Sequence, residues 1–556
     1  MSHPYRLPMP VRSFSILLGM LLVTAVRGVA QEATPAAEAS TAITEAEILA
    51  HTRFLSDDLL AGRAPGTRGE VLAQSYVIAQ FSALGLEPAG DNGWLQPFEL
   101  VSLTSQMPEQ LVVSNSDGET VALAYDSEWV GGSGRQSSGG AIEGAEIVFV
   151  GYGIVAPEEN WNDYEGVDVE GKVLLFLNND PVGDRFAGDT RLYYGRWSYK
   201  YEIAAELGAA GAIIIHTTPS AGYPWQVVQR GFGGTELELP APPDEPRTSF
   251  RAWVTEDAAA RIAALGGHDF DALVERAQSP AFRATPLGVT LDLEFSADLN
   301  ATGTANVLAR LPGNDADLAD EHIVFTAHYD HLGVGTAVDG DSTYNGARDN
   351  ALGTATLLAI ARAFASLPDP PRRSILFAAV GAEESGLLGS LHLARHPPVP
   401  ACQLVANINL DGGNIWGRTR DVRQVGRGKS DLDAWLDRFG AEQGRSIHTE
   451  EFPDKGYFYR SDQFSFAKIG VPAIYLHEGV DFIDRPEGWG AEQVEAWIAT
   501  DYHQPSDEIT PEWDLSGMVD DAVLLFRVAR AVANADASPR WTSGDEFAAA
   551  REACHR

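Results

Sequence analysis

The chain has 556 residues, enough for two or three domains with a substantial apolar core. Its 78 acidic side chains outnumber 40 lysines and arginines, a formal charge of -38 that excludes nucleic acid as a partner and predicts repulsion from anionic membranes. Only two cysteines occur, Cys402 and Cys554, in no metal-binding pattern; they are able to pair in an oxidising compartment, but their spacing does not decide it.

Arg6 and Arg12 precede an apolar stretch over residues 14–26, and Gly28-Val29-Ala30 follows as a small-x-small cleavage site. This is the layout of a secretory signal peptide over residues 1–30, cut near Ala30, so the expected location is secreted or periplasmic. The stretch is short of the roughly 20 residues that a membrane span needs, and no cysteine follows it to carry a lipid, so no stable membrane anchor is expected. Residues 31–43, rich in Ala, Glu, Thr and Pro, read as a flexible linker.

Over residues 45–55 the positions Ile48, Leu49, Thr52 and Leu55 recur at helical spacing, and a second helix is expected over residues 69–84. Residues 44–127 are assigned to the N-terminal part of the main domain. Residues 128–290 differ in character, with apolar runs such as Ile147-Val148-Phe149-Val150, glycine turns, a helix expected over residues 204–211 and a strand over 212–215. They suggest a small mixed α/β unit set into the chain. Residues 291–540 then carry the motifs with chemistry, and 541–556 form a C-terminal tail.

The first motif, Ala327-His328-Tyr329-Asp330-His331, follows the apolar run Ile323-Val324-Phe325. A His-x-Asp at a strand end offers an imidazole to a metal while the carboxylate takes the other ring N–H. His328 is the ligand candidate and Asp330 its partner; a histidine capping a strand is the plainer alternative, and His331 has no assigned role. In Asn345-Gly346-Ala347-Arg348-Asp349-Asn350, a carboxylate entering a helix can bridge two cations, or simply cap the helix. Glu383 and Glu384 follow a β-rich run over residues 374–380; in extended backbone one would face a metal and the other the attacking water, whereas alone they would read as a solvated face. Asp411 ends another apolar strand, and His503 lies in a polar loop before a C-terminal helix. Each is dismissible singly, but chance would have to place a suitable donor at every one of these element ends.

This ordered set resembles family twenty-eight of the metallopeptidases, which includes co-catalytic zinc aminopeptidases and glutamate carboxypeptidases, over roughly residues 306–535. The resemblance implies a three-layer α/β sandwich with a mixed central sheet. It also implies two zinc ions held by His328, Asp349, Glu384, Asp411 and His503, with Asp349 bridging and Glu383 as general base. The middle unit resembles the protease-associated domain that interrupts many members. Tyr459-Arg460-Ser461-Asp462-Gln463 fits a further family signature, with Gln463 where His is common, expected to vary the substrate pocket. Arg348 stands where an acid is common, and Tyr459 is either an oxyanion donor or a core tyrosine. The expected activity is that of an exopeptidase, most simply an aminopeptidase acting on peptides with a free N-terminus. The alternatives are a carboxypeptidase or dipeptidase, for which Arg348 or Arg460 would hold the substrate carboxylate, and a non-catalytic protein that keeps its metal.

Overall fold

A computed structural model describes residues 39–554 apart from 184, 187, 189–191, 222 and 233; the expected signal peptide and most of the linker lie outside the described residues. Helix α1 (Glu45–Leu55) starts at Thr44, whose side chain accepts the Glu47 N–H, and buries Ile48, Thr52 and Leu55 as their spacing predicts. Helix α2 (Arg68–Ala83) is capped by Thr67 in the same manner. Strand β1 (Leu95–Gln106) pairs antiparallel with the long strand β2 (Thr285–Leu311).

In chain order there follow β3 (His322–His328), α3 (Leu352–Ala365), β4 (Ser374–Val380), α4 (Leu388–Arg395), β5 (Leu404–Asn409), β6 (Asp421–Val425), α5 (Leu432–Glu442), β7 (Ser446–Thr449), α6 (Gln463–Lys468), β8 (Ala473–His477) and α7 (Ser516–Asn534). Across the sheet the order is β7, β6, β8, β5, β3, β4, β2, β1. The run from β8 to β4 is parallel, while β6 and β2 join it antiparallel.

Alternation along the central strands sorts their side chains between two cores. Ile323, Phe325 and Ala327, with Ile375, Phe377 and Ala379, pack under α1, α2, α3, α5 and α7. Val324, Leu376, Ala378 and Val380 meet Leu393 of α4 and Phe466 of α6 on the other face. Helices on both faces of a mixed sheet make the expected three-layer α/β sandwich. Phe377 stacks on Phe325 at 5.6 Å, and Phe364 meets Phe526 at 4.8 Å. Truncating one such ring in so tight a core costs about 3–5 kcal/mol.

Residues 111–295 enclose a second apolar core around the parallel strands Gly139–Phe149, Val173–Leu177, Gly211–His216 and Phe250–Thr255. Strand β2 belongs to both cores: its first half pairs with Gly139–Phe149, its end with β4, and it passes residue 290 unbroken. The helix expected over residues 204–211 lies earlier, at Trp197–Glu206. Gly208 ends it at φ +71°. Its start is fixed by tertiary contact, since the buried Lys200 donates to the carbonyls of Tyr152, Asn179 and Tyr194 at 2.6, 2.9 and 2.7 Å.

The tail folds back onto the main domain. Trp541 and Phe547 pack with Phe458, Tyr459 and Phe464, and a disulfide joins Cys402 to Cys554. Among the described residues, no helix is long and apolar enough to cross a membrane.

Candidate metal centre

Strands β3, β4 and β5 run parallel in a register that sets His328 opposite Val380 and Thr326 opposite Asn409. Their carboxyl ends therefore deliver His328, Glu383, Glu384 and Asp411 to one edge, the place where open α/β sheets put their sites. The loop before α3 adds Asp349 and the loop before α7 adds His503. All six candidates meet.

Asp349 is central. Its Oδ1 lies 3.2 Å from His328 Nε2, which also faces Asp411 Oδ1 at 3.2 Å. Its Oδ2 lies 3.3 Å from His503 Nε2, which faces Glu384 Oε2 at 3.0 Å. Two donor sets thus share one carboxylate. Asp349 does not cap α3: the Asn350 side-chain oxygen accepts the N–H groups of Gly353 and Gly412, each at 3.0 Å, which leaves both Asp349 oxygens for the centre.

Neighbouring loops are tied together by polar side chains to which the sequence reading gave no role. Asp507, four residues beyond His503, accepts the N–H of Arg348 at 2.9 Å and of Asp349 at 3.0 Å. The fully buried Arg63 donates to the carbonyls of Leu55, Tyr329, Asn345 and Gly346. Burial pulls its pKa down to about 10, against the pull of Asp330 and Asp507 upwards. Only a position before α2, remote in sequence, hinted at Arg63.

Two expectations are corrected here. The Asp330 carboxylate does not take the His328 ring N–H: its Oδ1 is 3.8 Å from Nδ1, while its backbone oxygen is at 3.3 Å. That Oδ1 accepts the Glu383 N–H at 3.2 Å instead, because the chain turns away after His328, so Asp330 positions Glu383. Nor do Glu383 and Glu384 diverge in extended backbone. Strand β4 ends at Val380, and Ala382 turns the chain at φ +57°, a strained conformation for a residue with a Cβ. Glu384 enters the His503 set, whereas no hydrogen bond from a described residue reaches the Glu383 carboxylate. His331, left without a role by the sequence, has Nδ1 2.6 Å from Glu384 Oε1.

The remaining candidates fall outside the cluster. Gln463 does not line a pocket: it is fully buried beneath the centre, bonded to Asn409 and the Phe458 carbonyl. Tyr459 donates to Glu546 at 2.6 Å inside the aromatic core of the tail, which is the core reading rather than the oxyanion one. Arg348 pairs with Glu478 at 2.6 Å and lies 4.5 and 4.2 Å from the rings of Trp416 and Trp497.

Charge in the cluster is unbalanced towards the acids. Burial alone would lower the pKa of His328, yet Glu383 and Asp411 drive it well above its usual value. Against the same burial, Glu384 and Asp349 raise His503 to about 10. Burial favours protonated Asp349, but the neighbouring imidazoles of His328 and His503 hold it well below the carboxylate range. Burial lifts Glu383 well above that range, with attraction from His328 opposing. A site that binds protons this avidly is built for positive charge. His503 Nε2 is buried and makes no hydrogen bond despite its two carboxylate neighbours, so these atoms converge as ligands do on a cation. His328, Asp349 and Asp411 form one group that could hold a metal, and His331, Asp349 and Glu384 another. The mixed nitrogen and oxygen donors fit zinc.

Residues 306–526 match Peptidase family M28. A probable glutamate carboxypeptidase, AMP1 of Arabidopsis thaliana, is 27% identical over 384 residues, 62% of this chain and 48% of that protein. Aminopeptidase YwaD of Bacillus subtilis (strain 168) is 29% identical over 223 residues, 39% of this chain and 42% of that protein. The chain spans about half the length of the curated relatives it matches. A solved aminopeptidase from Aneurinibacillus sp. strain AM-1 aligns over 90% of this chain and 97% of its own, at 19% identity and a TM-score of 0.47.

Proposed function

We propose that this chain, with a Peptidase family M28 segment at residues 306–526, is a two-zinc exopeptidase that releases N-terminal residues from peptides. The observation that carries the reading is the division of Asp349, one oxygen towards each of two histidines at 3.2 and 3.3 Å. His328 and Asp411 would hold one ion, Glu384 and His503 the other, and Asp349 both. When bound there, zinc would supply Lewis acidity and bring the pKa of water to about 7. Glu383 takes the proton of the attacking water and returns it to the leaving amine. Burial gives this carboxylate its high proton affinity, and Asp330 fixes its backbone. The cluster's excess of carboxylates suits a protonated substrate N-terminus, and a blocked amine would bind poorly.

The carboxypeptidase alternative needs a cation for the substrate carboxylate. Arg348 is already committed to Glu478, which leaves Arg460. A non-catalytic role has no use for the unbonded Glu383. The unit over residues 128–290 serves in this reading as a protease-associated domain that shapes access to the centre. Secretion rests on the pattern in residues 1–30, supported by the Cys402–Cys554 disulfide, a bond that persists in oxidising compartments.

Glu383→Gln should keep both metals and lose about 10²–10⁴-fold in kcat on aminoacyl anilides, whereas Asp349→Ala should lose metal too. Metal content by atomic absorption and turnover with zinc restored after chelation separate the two. Undiminished turnover in Glu383→Gln would sink the mechanism.

A further inference from the structure

His331 lies within the cluster but is none of the candidate ligands. Three residues beyond His328, it is fully buried, with Nδ1 2.6 Å from Glu384 Oε1. The length of that contact separates a hydrogen bond from shared ligation. Two donors on one tetrahedral zinc, each about 2.0–2.1 Å from the ion, lie about 3.3 Å apart. The contacts of Asp349 with His328 and His503, at 3.2 and 3.3 Å, match that spacing, and His503 to Glu384 at 3.0 Å comes near it. At 2.6 Å, His331 is too close to Glu384 Oε1 to share an ion with it and has the separation of a charge-assisted hydrogen bond. A carboxylate ligand only accepts, so the proton of this bond sits on Nδ1.

The ring is held in that direction. A Cβ on Gly346 would stand 2.5 Å from its Cγ and 2.6 Å from its Cδ2, so it rests on the bare backbone of the loop that carries Asp349. His503 meets it edge to face, with ring centres 5.7 Å apart. Among the described residues, nothing bonds to its buried Nε2. A residue kept only to fill this space would be apolar, since a buried polar atom without a partner is unfavourable. The bond to Glu384 is what an imidazole supplies here and an apolar side chain would not.

We propose that His331 is a positioning residue for the second zinc ion: by occupying Oε1 of Glu384 it leaves Oε2 alone to face that ion beside His503 and Asp349. The proposal rests on the two-zinc peptidase reading above. It limits the ion to three protein donors, the number typical of a catalytic zinc, whereas a Glu384 binding through both oxygens would supply a fourth and complete the tetrahedron.

The test uses the full-length protein, stripped of metal and titrated with zinc against a chelator of known affinity. The wild type should bind two ions. His331→Leu should weaken one of them about 10–100-fold and leave the other within about twofold, the usual size for loss of a group that orients a ligand. His331→Asn, whose amide N–H can stand near the place of Nδ1, should recover most of that loss. Equal weakening of both ions in His331→Leu, no weakening at all, or the same loss in both variants overturns the proposal and leaves the two-zinc reading standing. A wild type that binds fewer than two ions overturns both. A crystal structure of the zinc-loaded wild type tests the same point without depending on how the variants fold. Nδ1 should remain on Oε1 with zinc on Oε2 alone; zinc found on Nδ1, or on both Glu384 oxygens, overturns the proposal.

Discussion

Arg63 holds together chain segments that are nearly three hundred residues apart. Its guanidinium binds four backbone carbonyls, from the end of α1, the turn after β3 and the loop before Asp349, with no exposure to water. Replacing it with Met would leave these acceptors unpaired in the core. Each unsatisfied group costs about 1–3 kcal/mol, so Arg63→Met should lower stability by at least about 3 kcal/mol. Urea unfolding of the metal-free protein measures this; a loss below about 0.5 kcal/mol would mean that the carbonyls find other partners. Its place before α2 was only a faint hint, because an arginine in Ala-Gly-Arg-Ala-Pro reads as a loop residue. Its burial follows from where the loops close. The candidate ligands were different: His328, Asp349, Glu384, Asp411 and His503 stand at element ends, where chain direction limits what they can face.

Among the elements, the parallel strands β3, β4 and β5 bring ligands to one edge, but the loops decide the geometry. Asp507 is the brace between the loop that carries His503 and the loop that carries Asp349. Removing it in Asp507→Ala should leave the sheet intact and weaken metal binding by about 10–100-fold, the usual size for a group that orients a ligand. Competition with a chelator of known affinity reads this; unchanged affinity would show that Asn350 and the strand ends hold Asp349 unaided. Periodicity made α1, α2, β3 and β4 legible within about a residue or two, since each buries one regular face. It misplaced the helix at Trp197–Glu206, because the contacts of Lys200 at its start are to carbonyls in turns, two of them at Tyr152 and Asn179 outside the helix's own neighbourhood.

At the scale of the whole molecule, two apolar cores share the strand β2, and the tail is fastened back by Cys402–Cys554 across 152 residues of sequence. A crosslink over so long a loop stabilises chiefly by restricting the unfolded chain, typically by about 2–5 kcal/mol. Cys402→Ser should therefore lower the thermal midpoint while leaving kcat on small substrates within about twofold, since the bond lies outside the ligand cluster. Calorimetry with and without reductant checks this: the midpoint of the wild type should fall on reduction and that of the variant should not.

The sequence by itself determined the α/β class, the element-end positions of the candidate ligands and their donor types, because these depend on local periodicity and side-chain chemistry. Only the tertiary structure decided that Asp349 faces two histidines while Asn350 accepts the Gly353 N–H, that Asp330 holds the Glu383 backbone rather than the His328 ring, and that Arg348 lies close to two tryptophans. Each of these is a contact between residues far apart along the chain or a matter of side-chain direction at a turn, and neither periodicity nor composition encodes such geometry.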